Sequence, residues 1–208
     1  VGFESLTGQK YVLHIIVEAF DSRILDGYSE IVRKLCKEED GKEIGNEIAK
    51  FEQVRAYELT PRCGHRGQNW IGINALVPYS DFQKFYQMTP DLLEKYEKDF
   101  RKLDIEVGQD AQVFERYAQV ETVIFWFDYI QGARDVVRRF WWELAKAYAK
   151  NGGCFTGLGK VLSGIFKEVV SESYFNCLEV LKKALDPKGI MNPGMFQLLV
   201  EDHSDKVL

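Results

Sequence analysis

The eleven residues from Ala184 to Gly194, ALDPKGIMNPG, leave the backbone less choice than any other stretch of this chain. A helix leads into them, because Tyr174, Leu178, Leu181 and Leu185 fall on one side of the segment Glu172–Leu185. Asp186-Pro187 stops that helix, since the residue before a proline is driven away from helical backbone. Gly189 permits positive φ. Asn192-Pro193-Gly194 makes a second turn, with Asn192 expected to be extended ahead of Pro193 and Gly194 relieving the reversal. The two turns hold Ile190-Met191 as a short extended piece at a defined position. Taken alone, the same pattern equally suits an ordinary pair of surface turns.

Upstream, period and punctuation give the element order. Tyr11–Phe20, YVLHIIVEAF, is β-branched and aromatic at strand length, with His14 read as a partly buried strand side chain. Ile24, Tyr28, Ile31, Val32, Leu35 and Cys36 then repeat at helical spacing, and Gly41 closes the helix. A weaker helix is expected over residues 45–57, and TPRCGHRGQN, residues 60–69, is a loop. Trp70–Val77 is a strand ended by Pro78. Ser80 or Asp81 caps a long helix to about Arg101, with a kink expected at Pro90. Asp104–Val113 and Val120–Tyr129 form a hairpin. Ala133–Asn151 is a helix closed by Gly152-Gly153, and a weaker one spans residues 160–170. The order strand, helix, strand, helix, strand, strand, helix, helix predicts an α+β fold: an antiparallel ferredoxin-like sheet with helices packed on one face.

Composition narrows the function classes. The chain has 208 residues, 46% of them hydrophobic, enough for one domain with its own core, or one domain with a tail. The net charge of -5 and the lack of a basic face argue against nucleic acid. No apolar run reaches the roughly 18 residues of a membrane span. VETVIFWFDYI, the longest candidate, is broken by Glu121 and Asp128. Cys36, Cys63, Cys154 and Cys177 are scattered without a CxxC and the histidines do not cluster, so a zinc site is not expected. Reduced thiols in a cytoplasm fit that usage, and the N-terminus lacks the order of a signal peptide. The chain opens on Val1 without an initiator Met, which suggests residues upstream.

The closing segment resembles the signature of the vanillyl-alcohol-oxidase type FAD-linked oxidases, whose members include D-lactate dehydrogenases, glycolate oxidase subunits and 4-cresol dehydrogenase. Lys183, Ala184, Asp186, Pro187, Gly189, Ile190, Pro193 and Gly194 carry the match. The preceding elements resemble that family's cap domain by pattern. The resemblance implies residues 1–185 as the cap that covers the flavin and contacts substrate, and residues 186–208 as a tail returning to an FAD-binding domain. It places Asn192, Pro193 and Gly194 near the cofactor. That FAD domain would lie outside this chain, because no glycine-rich phosphate-cradling loop occurs upstream of residue 60. The implied partners are therefore an FAD-binding domain or subunit, a small-molecule substrate and an electron-acceptor protein. The implied reaction is oxidation of a small alcohol, an aryl alcohol or phenol or a 2-hydroxy acid, by hydride transfer to flavin. The alternative is a non-catalytic ferredoxin-like interaction or ligand-binding domain.

Neither branch of the family fits cleanly. GGCFTGLG, residues 152–159, keeps the Gly-Gly turn of the hydroxy-acid enzymes without their Glu and His, and GQNW, residues 67–70, resembles a strand start of the aryl-alcohol branch. The loop cations Arg62 and Arg66 are the candidate substrate clamp, since a guanidinium grips a carboxylate or phenolate with paired hydrogen bonds. His65 between them is the candidate base for the substrate hydroxyl. Arg116 and Tyr117 in the hairpin are further candidate contacts. Each of these also suits a solvated loop or turn.

Overall fold

The computed structural model describes residues 13, 15, 17–45, 66–114, 116–156, 160 and 162–195. The chain divides into two compact units, Val1–Pro61 and Arg62–Leu208.

In the first unit the expected helix is present as α1, Ser22–Glu38. Asp21 caps it by accepting the Arg23 N–H at 2.8 Å. Its apolar stripe, Ile24, Tyr28, Ile31 and Leu35, is exposed along its length. The expected strand Tyr11–Phe20 is not found in its described residues, Leu13, Ile15 and 17–20, none of which is in strand. His14 and residues 46–57 of the expected helix lie outside the described residues.

The second unit carries the sheet. Its described elements are β1 (Asn69–Pro78), a 3-10 turn (Tyr79–Asp81), α2 (Phe82–Lys102), β2 (Glu106–Val113), β3 (Tyr117–Trp126), α3 (Ala133–Lys150), α4 (Ser163–Val169) and α5 (Glu172–Leu185). The strands lie in the order β1-β3-β2 and every pairing is antiparallel. The hairpin is thus β2–β3, with β3 central because both neighbours pair with it. The α+β class and the helices against one face are as the sequence predicts, on a sheet of three strands among the described residues.

Strand alternation sorts the side chains. Ile73, Ala75 and Val77 of β1 and Ala118, Val120 and Ile124 of β3 are buried against α2 and α3. Those helices answer with Phe85, Tyr96 and Phe100, and with Phe140, Trp141 and Leu144. Burying side chains of this size contributes about 1.5–3 kcal/mol each. One polar knot sits inside this layer. Thr89 of α2, Thr122 of β3 and Tyr148 of α3 share hydroxyl contacts of 2.8, 3.2 and 3.2 Å, so each buried oxygen is satisfied.

Pro90 sits within α2 without ending it. A proline has no N–H to give the carbonyl four residues back, which is that of Tyr86. The Gln109 side chain of β2 supplies the missing donor, reaching the Tyr86 carbonyl at 2.9 Å. The Gly152-Gly153 stop also holds. Gly152 has φ 88, and a Cβ on Gly153 would lie 2.8 Å from the Phe85 ring and 3.0 Å from the Tyr148 carbonyl oxygen. Just beyond, Cys154 exchanges backbone hydrogen bonds with Leu76 at 2.7 and 3.1 Å and closes part of the outer edge of β1.

The closing turns are built around one carboxylate. Asp186, 4% exposed, accepts from the N–H groups of Ile190 and Met191 at 3.0 and 2.8 Å and from the Lys182 ammonium at 2.6 Å. The Lys182 ammonium and these two amides hold its carboxyl below the usual carboxylate range. Gly189 N–H returns to the Asp186 carbonyl at 3.0 Å, with Pro187 in the second position where its fixed φ favours a turn. The second turn differs from expectation at one residue. Asn192 is not extended but left-handed, at φ 45, a region its short polar side chain tolerates. Met195 N–H closes on the Asn192 carbonyl at 3.1 Å across Pro193 and Gly194, the latter at φ 83.

Candidate functional site: the open face of the sheet

Within the second unit α2 and α3 pack on one face of the sheet, and no other described helix of that unit is packed on the face turned away from them. Register assigns its rows. Trp70, Phe125 and Glu106 form one, Gly72, Val123 and Gly108 the next, Asn74, Glu121 and Asp110 the third, and Leu76, Gln119 and Gln112 the fourth. The rows differ in chemistry. The first is aromatic with one acid, the second is nearly bare of side chains, and the third and fourth are polar.

Gly72 makes room for the acid beside it. A Cβ there would lie 3.1 Å from Glu121 Oε1 and 3.4 Å from the Trp70 ring, tighter than side chains normally sit. The Trp141 indole N–H of α3 donates to the Gly72 carbonyl at 2.9 Å and fixes this segment of β1. Asn74 is held from the edge of the sheet, where its Oδ1 accepts from the backbone and hydroxyl of Thr156. Glu121 is half-buried and has no hydrogen-bond partner among the described residues. Burial pushes its carboxyl up, and the charge of Asp110 across the strand pair pushes it further. Desolvation also raises Asp110, the more exposed of the two. Paired side chains at such positions stand roughly 5 Å apart at Cβ, close enough for two carboxylates to oppose each other's ionisation.

The predicted site residues are distributed as follows. Arg62 and His65 lie outside the described residues. Arg66 is described and engaged: it donates to both oxygens of Asp104 at 3.0 and 2.6 Å and to Glu106 at 2.8 Å, with its guanidinium 5.1 Å from the centre of the Phe127 ring. Those acids raise its pKa, so its charge is permanent. Arg116 is exposed and has no ion pair among the described residues. Tyr117 opens β3 opposite Pro78, and its ring centre lies 5.5 Å from that of Phe114. Arg66 and Tyr117 do not come together: Arg66 pairs at the Glu106 end of the sheet, and Tyr117 is at the other end of the ten-residue strand β3. At about 3.3 Å per residue that is on the order of 30 Å. Asn192–Gly194 sit in the second closing turn, where a Cβ on Gly194 would come 4.0 Å from the Lys160 side chain.

Sequence reasoning missed Gln119, Glu121 and Asp110. Glu121 stood out only as a break in an apolar run. The usable signal was its parity: in AQVETVIFW the residues at 118, 120, 122 and 124 are buried and Glu121 stands with the other set. Among the described residues no group of His, Cys, Asp and Glu could hold a metal ion. No described helix is long and apolar enough to cross a membrane.

Comparison with curated proteins finds no match. Among solved structures, alkyldihydroxyacetonephosphate synthase matches at 16% identity and a TM-score of 0.42, over 82% of this chain and 29% of that one. The chain therefore spans less than a third of that protein. The family model "FAD linked oxidases, C-terminal domain" matches residues 8–196, nearly the full length and including the closing turns, so this chain belongs to the C-terminal domains of the FAD-linked oxidases.

Proposed function

We propose that the open face of the sheet is one wall of the substrate site of an FAD-dependent oxidoreductase that oxidises a small alcohol, an aryl alcohol or phenol or a 2-hydroxy acid. FAD is the cofactor of this family and, when bound, supplies the electron acceptor. The observation that carries the reading is the grouping around the row Gly72-Val123-Gly108, where the Trp70 ring and the Glu121 carboxylate lean over Gly72 and Phe125 lies beside Gly108. Aromatic side chains beside an acid suit a ring that carries a hydroxyl group.

In this reading residues 1–185 form the cap and residues 186–208 the tail that returns toward an FAD-binding domain or subunit. Asn192, Pro193 and Gly194 lie on the cofactor side, where the turn held by Asp186 would fix their backbone. His65 takes the proton of the substrate hydroxyl, and Arg62 orients the substrate. Arg66 assists from the rim with the two of its five donors that Asp104 and Glu106 leave over. Arg116 and Tyr117 contact substrate or partner at the far end of β3. An electron-acceptor protein completes the turnover.

The test is to purify the chain with its FAD-binding domain, measure the size of the complex and record its visible spectrum. A flavin-coloured complex that turns over small alcohols supports the reading. A colourless monomer that binds neither overturns it in favour of a non-catalytic interaction domain. Gly72→Ala sharpens the result: its methyl group displaces Glu121 without reaching the core, so turnover should fall by about tenfold to a hundredfold while the melting temperature holds. Unchanged kinetics would remove the open face from the site.

A further inference from the structure

We infer that Gln119 and Glu121 form a selecting pair on the open face that takes an uncharged hydroxyl group and turns away a carboxylate. This rests on the reading of that face as the substrate wall and names which of the two substrate classes it accepts.

Gln119 is the unexplained residue. It is only 9% exposed, yet its side-chain amide has no hydrogen-bond partner among the described residues. A side-chain amide so placed takes its hydrogen bonds from water or from a ligand. No fully sealed polar atom among the described residues lacks a partner, so the Gln119 amide atoms keep a path outward. That path opens on the face carrying Glu121, because residues 119 and 121 share the same side of β3.

The two groups complement each other. An ionised carboxylate only accepts hydrogen bonds, whereas an amide both donates and accepts. A substrate hydroxyl donates to Glu121 and accepts from Gln119, and both groups are then satisfied. A substrate carboxylate has only acceptors to offer and would face Glu121 as a like charge. The surroundings strengthen the bias. Asp110 stands opposite Glu121 on β2, Glu106 lies two rows along, and β1 contributes no charged residue to this face. Of the described cations at the ends of the sheet, Arg66 is already engaged by Asp104 and Glu106, and Arg116 lies outside the strand rows, in the hairpin turn before Tyr117. Burial first, and the charge of Asp110 second, raise the proton affinity of Glu121, which favours it as the acceptor of a hydrogen bond from a bound hydroxyl.

The experiment titrates the isotope-labelled chain, in complex with its FAD-binding domain, with benzyl alcohol and with benzoate at neutral pH and follows the Gln119 side-chain amide and Trp70 indole signals. Benzyl alcohol should move both signals and bind about tenfold or more tightly than benzoate, the penalty of one like charge at partly exposed contact distance. Glu121→Gln keeps the shape, removes the charge and should narrow that ratio several-fold by raising benzoate affinity. If benzoate moves Gln119 with equal affinity, the selection is wrong while the face remains a substrate wall. If benzyl alcohol moves Trp70 and leaves Gln119 still, the pair is not the contact and the face again survives. If neither probe moves either signal, the inference and the reading beneath it fall together.

Discussion

The two faces of this sheet come from the same three strands and differ in every respect that matters to function. On the covered face each apolar side chain meets a helix, and the hydroxyls of Thr89, Thr122 and Tyr148 satisfy one another. On the open face Glu121 and Gln119 have no described partner, and Val123 stands between two glycines. The covered face is complete by itself, and the open one is where the proposed substrate wall lies. Alternation at period two lets one strand serve both purposes, so a residue's parity in β3 predicts whether its replacement harms folding or function.

The most direct way to break the comparison is on the covered side. Ile124→Ala leaves a cavity at a fully buried position between sheet and helices, and should destabilise the protein by about 2–4 kcal/mol in denaturant titration. A loss under about 1 kcal/mol would mean that the helices do not seal this face. Gln109→Leu should cost less, about 1–2 kcal/mol, since it removes the donor that reaches the Tyr86 carbonyl across the gap left by Pro90. Pairing it with Pro90→Ala should recover part of that loss, and no recovery would show that the two residues act independently.

The smallest effect belongs to the open face and has the opposite sign. Glu121 has a folded-state pKa above that of the unfolded chain, so its charged form is the one folding disfavours. Its contribution to stability is fully present below the unfolded carboxylate value and is lost as pH rises through the raised folded one. Glu121→Gln should therefore raise the melting temperature slightly at neutral pH, with the gain fading as pH falls below the range where unfolded glutamate titrates. A loss of stability at neutral pH would mean that the carboxylate is stabilised by a partner. Asp186 shows the reverse dependence: its depressed pKa gives stability above the unfolded value that is lost as pH falls through the folded one.

Local chemistry made much of this legible in the sequence. The strand ended by Pro78, the hairpin, the Gly152-Gly153 stop and the closing turns all follow from residues that restrict their own backbone. Asn192 departed from the pre-proline expectation because asparagine tolerates the left-handed region. What escaped was anything set by pairing across the chain. Arg66 reads as a free loop cation until Asp104 and Glu106, 38 and 40 residues further on, are seen to hold it. Glu121 and Asp110 are 11 apart in sequence and become neighbours only through the hairpin register.

The Pro90 gap in α2 has one more consequence. Gln109, on the helix side of β2, reaches the Tyr86 carbonyl in the hairpin register that pairs it with Thr122. A slip by one residue would swing Gln109 to the opposite face and leave the helix with an unmet acceptor. The proline thus works as a keyway cut into the helix, which the hairpin can enter in one setting only. That same setting aligns Asp110 with Glu121, so a defect in a helix on one side of the sheet calibrates the chemistry displayed on the other.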